Sequence, residues 1–239
     1  MRNNISNSAI IEGIAAPLPI ANLDTDQIMP KQFLRGIDKA GLDRGVLYDL
    51  RFDGQGSPRP DFVLNLPAYA GAPILLGGAN FGCGSSREHA VWGLQQAGVR
   101  AVIASSFGEI FYSNAMNNGL MLATVSEEDM GHLFAEAAAS SSPLRVRIDV
   151  EQLQVASATG TASFTLSDRH RRMFMDGLDM LGASLLHLPA IEAFAERWHE
   201  ANPWLKNVAS LARARIDGDQ LRPGTISTPI SSASASSSP

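Results

Sequence analysis

The chain has 239 residues, of which 45% are hydrophobic, 18% charged and 7% aromatic, the profile of a globular protein with a core and not of a fibre or a disordered chain. Its formal net charge of −5, from 24 acidic and 19 basic side chains, disfavours a phosphate backbone as partner and argues against nucleic-acid binding. A lone cysteine, Cys83, forms no internal disulfide, the first residues lack the apolar segment of an export signal, and no apolar run nears the roughly 18 residues of a membrane span; the expectation is a cytoplasmic protein outside the membrane.

In chain order, residues 17–60 are rich in Gly, Asp and Pro with few regular periods, which in a compact domain points to a functional loop or a mobile connection. Over 63–125 short apolar runs alternate with helical patterns: 73–76, a glycine-rich loop, a helix over 90–98, 101–104, a helix over 107–118, then 120–123. This βαβαβ spacing predicts a parallel sheet with helices packed on it. Ser126 and Asp129 read as a capping box opening a helix through Ala139, and Pro143 marks the break beyond it. Residues 144–150, 153–157 and 163–166 alternate in type and are joined by turn residues, which predicts a small antiparallel meander. A capped basic helix follows over 167–176, closed by Gly177. Pro189 opens another helix, in which Ile191, Phe194, Ala195 and Trp198 recur at helical spacing and are expected to form a buried stripe. Residues 205–216 fit a short amphipathic helix. From about Ile226 the chain is Ser, Ala, Pro and Thr with almost nothing to bury, and disorder is expected there.

The stretch Gly82-Cys83-Gly84-Ser85-Ser86-Arg87-Glu88-His89-Ala90 lies between an apolar strand and a helical pattern, where α/β sheets bind ligands. Arg87 stands where a dinucleotide fingerprint needs a third small residue, no Gly-Lys-Ser/Thr marks a phosphate loop, and Ser85 lacks the Gly-x-Ser-x-Gly elbow. What remains is an anion site. Glycines let the backbone approach a ligand, Ser85 and Ser86 precede a helix N-terminus, and the Arg87 fork matches a small di- or tricarboxylate better than a neutral ligand. The same positive potential favours a serine alkoxide, making Ser85 a candidate base. A second reading stands beside it: Ser85-Ser86-Arg87-Glu88 is also a capping box in which Ser85 caps the helix and Glu88 returns the bond. Local pattern does not choose between cap and catalyst. His89 reads as a packed or hydrogen-bonded residue, and Cys83 as a small loop residue, since one cysteine with no metal-ligand spacing near it holds neither zinc nor a cluster.

Asn80-Phe81-Gly82-Cys83-Gly84-Ser85-Ser86-Arg87-Glu88-His89-Ala90 resembles the signature of the swivelling domain of the aconitase superfamily, and within it the small subunits of 3-isopropylmalate dehydratase. Six supporting blocks run in the same order: Asn22-Leu23-Asp24-Thr25-Asp26-Gln27-Ile28, Pro30-Lys31-Gln32-Phe33-Leu34, Pro60-Asp61-Phe62-Val63-Leu64-Asn65, Ser106-Phe107-Gly108-Glu109-Ile110-Phe111, Asn117-Asn118-Gly119-Leu120 and Met175-Asp176-Gly177-Leu178-Asp179. The likeness covers about residues 10–204. It implies an α/β fold, an aconitase-type swivelling β/β/α domain with a mostly parallel sheet flanked by helices and a small antiparallel meander. The expected organisation is that domain over 1–204, a short helix and linker over 205–225, and a disordered serine-rich tail over 226–239.

The resemblance further implies a chain that binds no cofactor or metal itself and acts only when docked on a large subunit carrying a [4Fe–4S] cluster. In such enzymes the open iron holds the substrate hydroxyl and a carboxylate while the swivelling domain closes over them with the base. The implied reaction isomerises 2-isopropylmalate and 3-isopropylmalate by dehydration and rehydration through 2-isopropylmaleate. Carried onto this sequence, Ser85 is the alkoxide that takes the proton, Arg87 binds a substrate carboxylate and Ser86 helps to hold it. Asp24, Thr25 and Asp26 match a loop that closes near the active site, with an Asx-turn before Pro30 as the local alternative. Phe33, Leu34 and Arg35 match the loop that chooses the substrate side chain; the Phe33-Leu34 pair suits an isopropyl group, or else fills the core. Arg171 and Arg172 read as solvated helix charges. A hydro-lyase for another substituted malate or maleate, such as citraconate, shares these motifs. So does a non-catalytic carboxylate-binding module, against which intact Ser85 and Arg87 argue.

Overall fold

The computed structural model describes residues 9–34 and 40–220. Arg35 and the tail from 221 onward lie outside the described residues, and with them the expectations placed there. The chain divides into two units, Met1–Leu186 and His187–Pro239. In the first, β1 (Ile10–Leu18) leads through two single-turn helices, α1 (Thr25–Ile28) and α2 (Tyr48–Arg51), to β2 (Ile74–Gly77). Then come α3 (Glu88–Gln96), β3 (Ala101–Ala104), α4 (Glu109–Asn117), β4 (Met121–Thr124) and α5 (Glu127–Ala139). A meander of β5 (Arg145–Asp149), β6 (Gln154–Ala156) and β7 (Thr161–Ser163) precedes α6 (Asp168–Met175) and α7 (Met180–Leu185).

All seven strands share one sheet in the order β4-β3-β2-β1-β5-β6-β7. The βαβαβ block is parallel as its spacing predicts, with Ile74 opposite Ala101 and Ala101 opposite Met121. The meander is antiparallel. β1 joins the two. Its first half, Ile10 to Ile14, pairs antiparallel with β5, and its second, Ala15 to Leu18, pairs parallel with β2. Sequence spacing gave β1 no place, and this one long strand makes the meander a continuation of the sheet instead of an appendage. The burial follows from the layering: β2 and β3 are buried at every position, as parallel strands covered on both faces must be, whereas β5 alternates. Helix α3 turns Ala90, Val91 and Leu94 inward, and α4 turns Phe111, Ala115 and Met116 inward. Ser126 caps α5 by accepting from the Asp129 N–H, and Ser167 caps α6 by accepting from the His170 N–H.

The second unit holds α8 (Leu188–Ala201) and α9 (Val208–Gln220). The helix opened by Pro189 forms, but its stripe is not buried: Ile191, Phe194 and Trp198 are 49%, 57% and 48% exposed. Periodicity registers an apolar face; burying it requires a second surface. The Phe194 and Trp198 rings instead stack on each other at 5.9 Å. Among the described residues no helix is long and apolar enough to cross a membrane.

Candidate active site

Parallel strands deliver their carboxyl ends to one edge of a sheet, and β1, β2 and β3 each release a loop there. The loops are stitched edge to edge by backbone bonds: Asn22 N–H to Ala79 O at 2.8 Å, Gly82 N–H to Leu23 O at 2.7 Å, Thr25 N–H to Cys83 O at 2.9 Å and Phe81 N–H to Ser106 O at 3.1 Å. Two asparagines, Asn22 and Asn80, take left-handed backbone conformations and join side chains, Asn80 Nδ2 donating to Asn22 Oδ1 at 2.8 Å. Gly82, also left-handed at φ +74°, lies so close to the Phe111 ring that a side chain there would overlap it. Gly84, at φ +91°, has the Asp24 side chain 3.3 Å from where its own Cβ would sit.

These loops bring Asp26, Ser85 and Arg87 together. Ser85 Oγ donates to Asp26 Oδ1 at 3.0 Å, and Arg87 Nη2 pairs with that same oxygen at 2.9 Å. Arg87 Nη1 donates to the carbonyl of Met29 at 3.1 Å, and its side chain is only 14% exposed against 49% for Asp26. Burial among neighbours and two directed bonds fix the guanidinium, while the carboxylate it holds faces water. The Arg87 fork, matched to a carboxylate by its sequence setting, holds the carboxylate of Asp26 on one of its nitrogens in the structure.

The capping reading of Ser85 does not survive. α3 begins at Glu88 with Arg87 as its N-cap and no side-chain cap bond. Glu88 does not return to Ser85 but accepts from Asn118 Nδ2 at 2.6 Å. Ser85 lies three residues ahead of Glu88, exposed, with its hydroxyl aimed at Asp26. Ser86 is exposed beside it.

The three residues of the first loop separate in role. Asp24 caps α1 in a capping box, accepting from Gln27 N–H at 2.7 Å while Gln27 Oε1 accepts from Asp24 N–H at 3.1 Å. Thr25 is 1% exposed, and its hydroxyl reaches Ser85 O at 2.8 Å and Ser85 Oγ at 3.2 Å. Of the three, Asp26 alone is exposed. Phe33 and Leu34 are half-buried and pack against the core, with the Phe33 ring 5.0 Å from that of Tyr48. His89 lies against Trp92 at 4.8 Å. Arg171 donates to the Glu151 carbonyl and, with Arg172, borders a shallow surface depression lined by Asp168 and Asp176.

Four contributors escaped the sequence reading: the Met29 carbonyl, Asn22, Asn80 and Ser106, whose hydroxyl accepts from Asn80 N–H at 2.8 Å. Asparagine tolerates left-handed backbone better than most residues, a general bias that singles out neither of these two positions. A backbone carbonyl leaves no trace in a sequence. The donor set also bears on metals: an iron–sulfur cluster needs several thiolates and this chain has one cysteine. Among the described residues no group of three or more His, Cys, Asp or Glu is placed to hold a metal ion.

Residues 7–128 match the aconitase C-terminal domain family. 3-Isopropylmalate dehydratase small subunit 1 of Chromobacterium violaceum is 62% identical over 206 residues, covering 86% of this chain and 97% of that protein. Small subunit 2 of the same enzyme from Salmonella typhimurium is 46% identical over 200 residues, covering 84% and 96%. Among solved structures, 3-isopropylmalate dehydratase from Methanocaldococcus jannaschii superimposes with a TM-score of 0.54 at 25% identity, covering 79% of this chain and 98% of that one.

Proposed function

The chain belongs to the family of 3-isopropylmalate dehydratase small subunits, within the aconitase superfamily, and from that premise we propose the roles its residues take. It is the small subunit of a hydro-lyase of leucine biosynthesis that interconverts 2-isopropylmalate and 3-isopropylmalate by dehydration and rehydration. Its partner is the large subunit, to which we assign the [4Fe–4S] cluster because one cysteine cannot ligate it. We place the pair in the cytoplasm.

This chain's own part is binding and proton transfer. Ser85, deprotonated, takes the proton from the carbon beside a substrate carboxylate; the C–H electron pair becomes the second bond of the alkene as the neighbouring carbon releases its hydroxyl with the C–O pair. Return of water in the opposite orientation exchanges the positions of hydroxyl and hydrogen. Arg87 binds a substrate carboxylate and Ser86 assists it. Phe33 and Leu34 face the substrate's isopropyl group. The observation that carries this reading is the convergence of Ser85 Oγ and Arg87 Nη2 on a single carboxylate oxygen, that of Asp26, at 3.0 and 2.9 Å. A serine and an arginine that together hold an internal carboxylate have the spacing to hold an external one.

The test is reconstitution with the large subunit prepared without oxygen, followed by turnover on a panel of substituted malates. The chain alone should be inactive and the complex active on isopropylmalate. Ser85→Ala should leave assembly intact and lower turnover by about a thousandfold or more, as loss of a base does. Turnover at the wild-type rate would remove Ser85 from the chemistry.

A further inference from the structure

A hydroxyl carries one hydrogen, and at this site the hydrogens are all spoken for. Thr25 Oγ1 must be the donor to Ser85 O at 2.8 Å, because a carbonyl only accepts. Ser85 Oγ must be the donor to the carboxylate Asp26 Oδ1 at 3.0 Å. With both bonds made, the contact between Thr25 Oγ1 and Ser85 Oγ at 3.2 Å has no hydrogen left in it. It is two oxygens facing each other, slack while Ser85 is a hydroxyl.

Transfer of the Ser85 proton to Asp26 Oδ1, the oxygen to which it already donates at 3.0 Å, changes the count. The oxygen then only accepts, and the Thr25 hydrogen needs only a rotation about Cβ–Oγ1 to reach it. Ser85 O does not become an orphan when this happens, because the Arg87 N–H already donates to it at 2.9 Å. We propose that Thr25 is the positioning residue for the base: its buried hydroxyl switches from Ser85 O to Ser85 Oγ as the alkoxide forms, so that a bond absent in the resting state stabilises the reactive one. The inference rests on the reading of Ser85 as the base.

Three features suit Thr25 to this. It is the buried polar residue of the described chain, 1% exposed, so water does not compete for its hydrogen. Its backbone is fixed on both sides, the N–H to Cys83 O at 2.9 Å and the carbonyl to Met29 N–H at 3.0 Å. And its gain is differential, which is what accelerates a step instead of merely tightening binding.

The experiment uses the assembled complex and reads kcat and KM separately. Thr25→Val keeps the shape and removes the hydroxyl; kcat should fall about a hundred- to a thousandfold, the order seen for loss of one donor to a developing oxyanion, with KM changed no more than about twofold. Thr25→Ser restores the hydroxyl and should recover most of the rate. Wild-type kcat in Thr25→Val, a loss confined to KM, or a Thr25→Ser variant as slow as Thr25→Val would each overturn the proposal. If Thr25→Val does not assemble, Thr25→Ala is read by the same criteria; failure of both to assemble assigns Thr25 to folding and also overturns it. Ser85→Ala in the same complex separates the two levels: wild-type turnover there sinks the reading of the base and this inference with it. An inactive Ser85→Ala beside an unimpaired Thr25→Val sinks the inference alone.

Discussion

Asn118 Nδ2 donates to Glu88 Oε1 at 2.6 Å, tying the C-cap residue of α4 to the residue that begins α3. The same asparagine accepts from Trp92 Nε1 through Oδ1 at 2.9 Å, and its carbonyl accepts from Gln95 Nε2 at 2.7 Å. One side chain and its backbone thus hold three successive points of α3 against the end of α4. The helix whose N-terminus follows the site loop is anchored from outside the loop.

Asn118→Ala should therefore destabilise the fold by about 2–3 kcal/mol, since it leaves a half-buried carboxylate and an indole N–H without this partner. Urea unfolding of the isolated chain measures it. Glu88→Gln keeps an acceptor for Asn118 and should cost less than half as much; equal losses from the two variants would show that the hydrogen bonds are not what matters at Asn118.

The loop after β2 owes its path to close approach. At Gly82 a methyl group would have to share space with the Phe111 ring while the backbone is held at φ +74°. Gly82→Ala should cost about 3 kcal/mol or more, steric and conformational penalties together. At Gly84 the conformation is also left-handed, but the nearest atom to an added Cβ is 3.3 Å away, so Gly84→Ala should cost about 1–2 kcal/mol. The order of the two melting points checks the assignment; Gly84→Ala melting below Gly82→Ala would contradict it.

Arg87 reaches two acceptors in different directions, Met29 O and Asp26 Oδ1, through two nitrogens. A lysine ammonium sits at one point and cannot span both. Arg87→Lys should lower kcat/KM for isopropylmalate by about thirtyfold or more, from the loss of one charge-assisted bond, chiefly through KM. Kinetics of the complex with unchanged KM would remove Arg87 from carboxylate binding.

The parallel block was legible because apolar runs of four residues separated by helical patterns have few other solutions; 101–104 is β3 residue for residue. The caps at Ser126 and Ser167 were legible because they are local, each a side chain bonded three residues on. At Ser85 the same local logic leaves cap and catalyst both open. A capping box there satisfies the sequence, but Gly84 turns left-handed and Thr25, sixty residues away, donates to the Ser85 carbonyl, and the helix starts at Glu88. β1 went unseen because Gly13 and Pro17 interrupt its pattern and its halves serve two different neighbours. The division of labour within Asp24-Thr25-Asp26 was also out of reach: capping partner, buried hydroxyl and projecting carboxylate are distinguished only by which way a single helical turn faces.

His170, on α6, has its imidazole 5.9 Å from the Tyr112 ring. Burial, with a smaller contribution from the neighbouring Arg169 charge, lowers its pKa below the ordinary value of 6.5. The folded chain thus binds this proton less readily than the unfolded chain does. Stability rises with pH wherever the unfolded state holds more protons. Falling pH should accordingly weaken the fold as it passes from the unfolded histidine's range down through the depressed folded value, and below both the loss is complete. His170→Gln cannot titrate, so its urea midpoint should decline less than the wild type's between pH 7.5 and pH 5, on the order of the span that brackets an ordinary histidine. Parallel declines in the two proteins would show that the imidazole contributes nothing to the acid sensitivity of the fold.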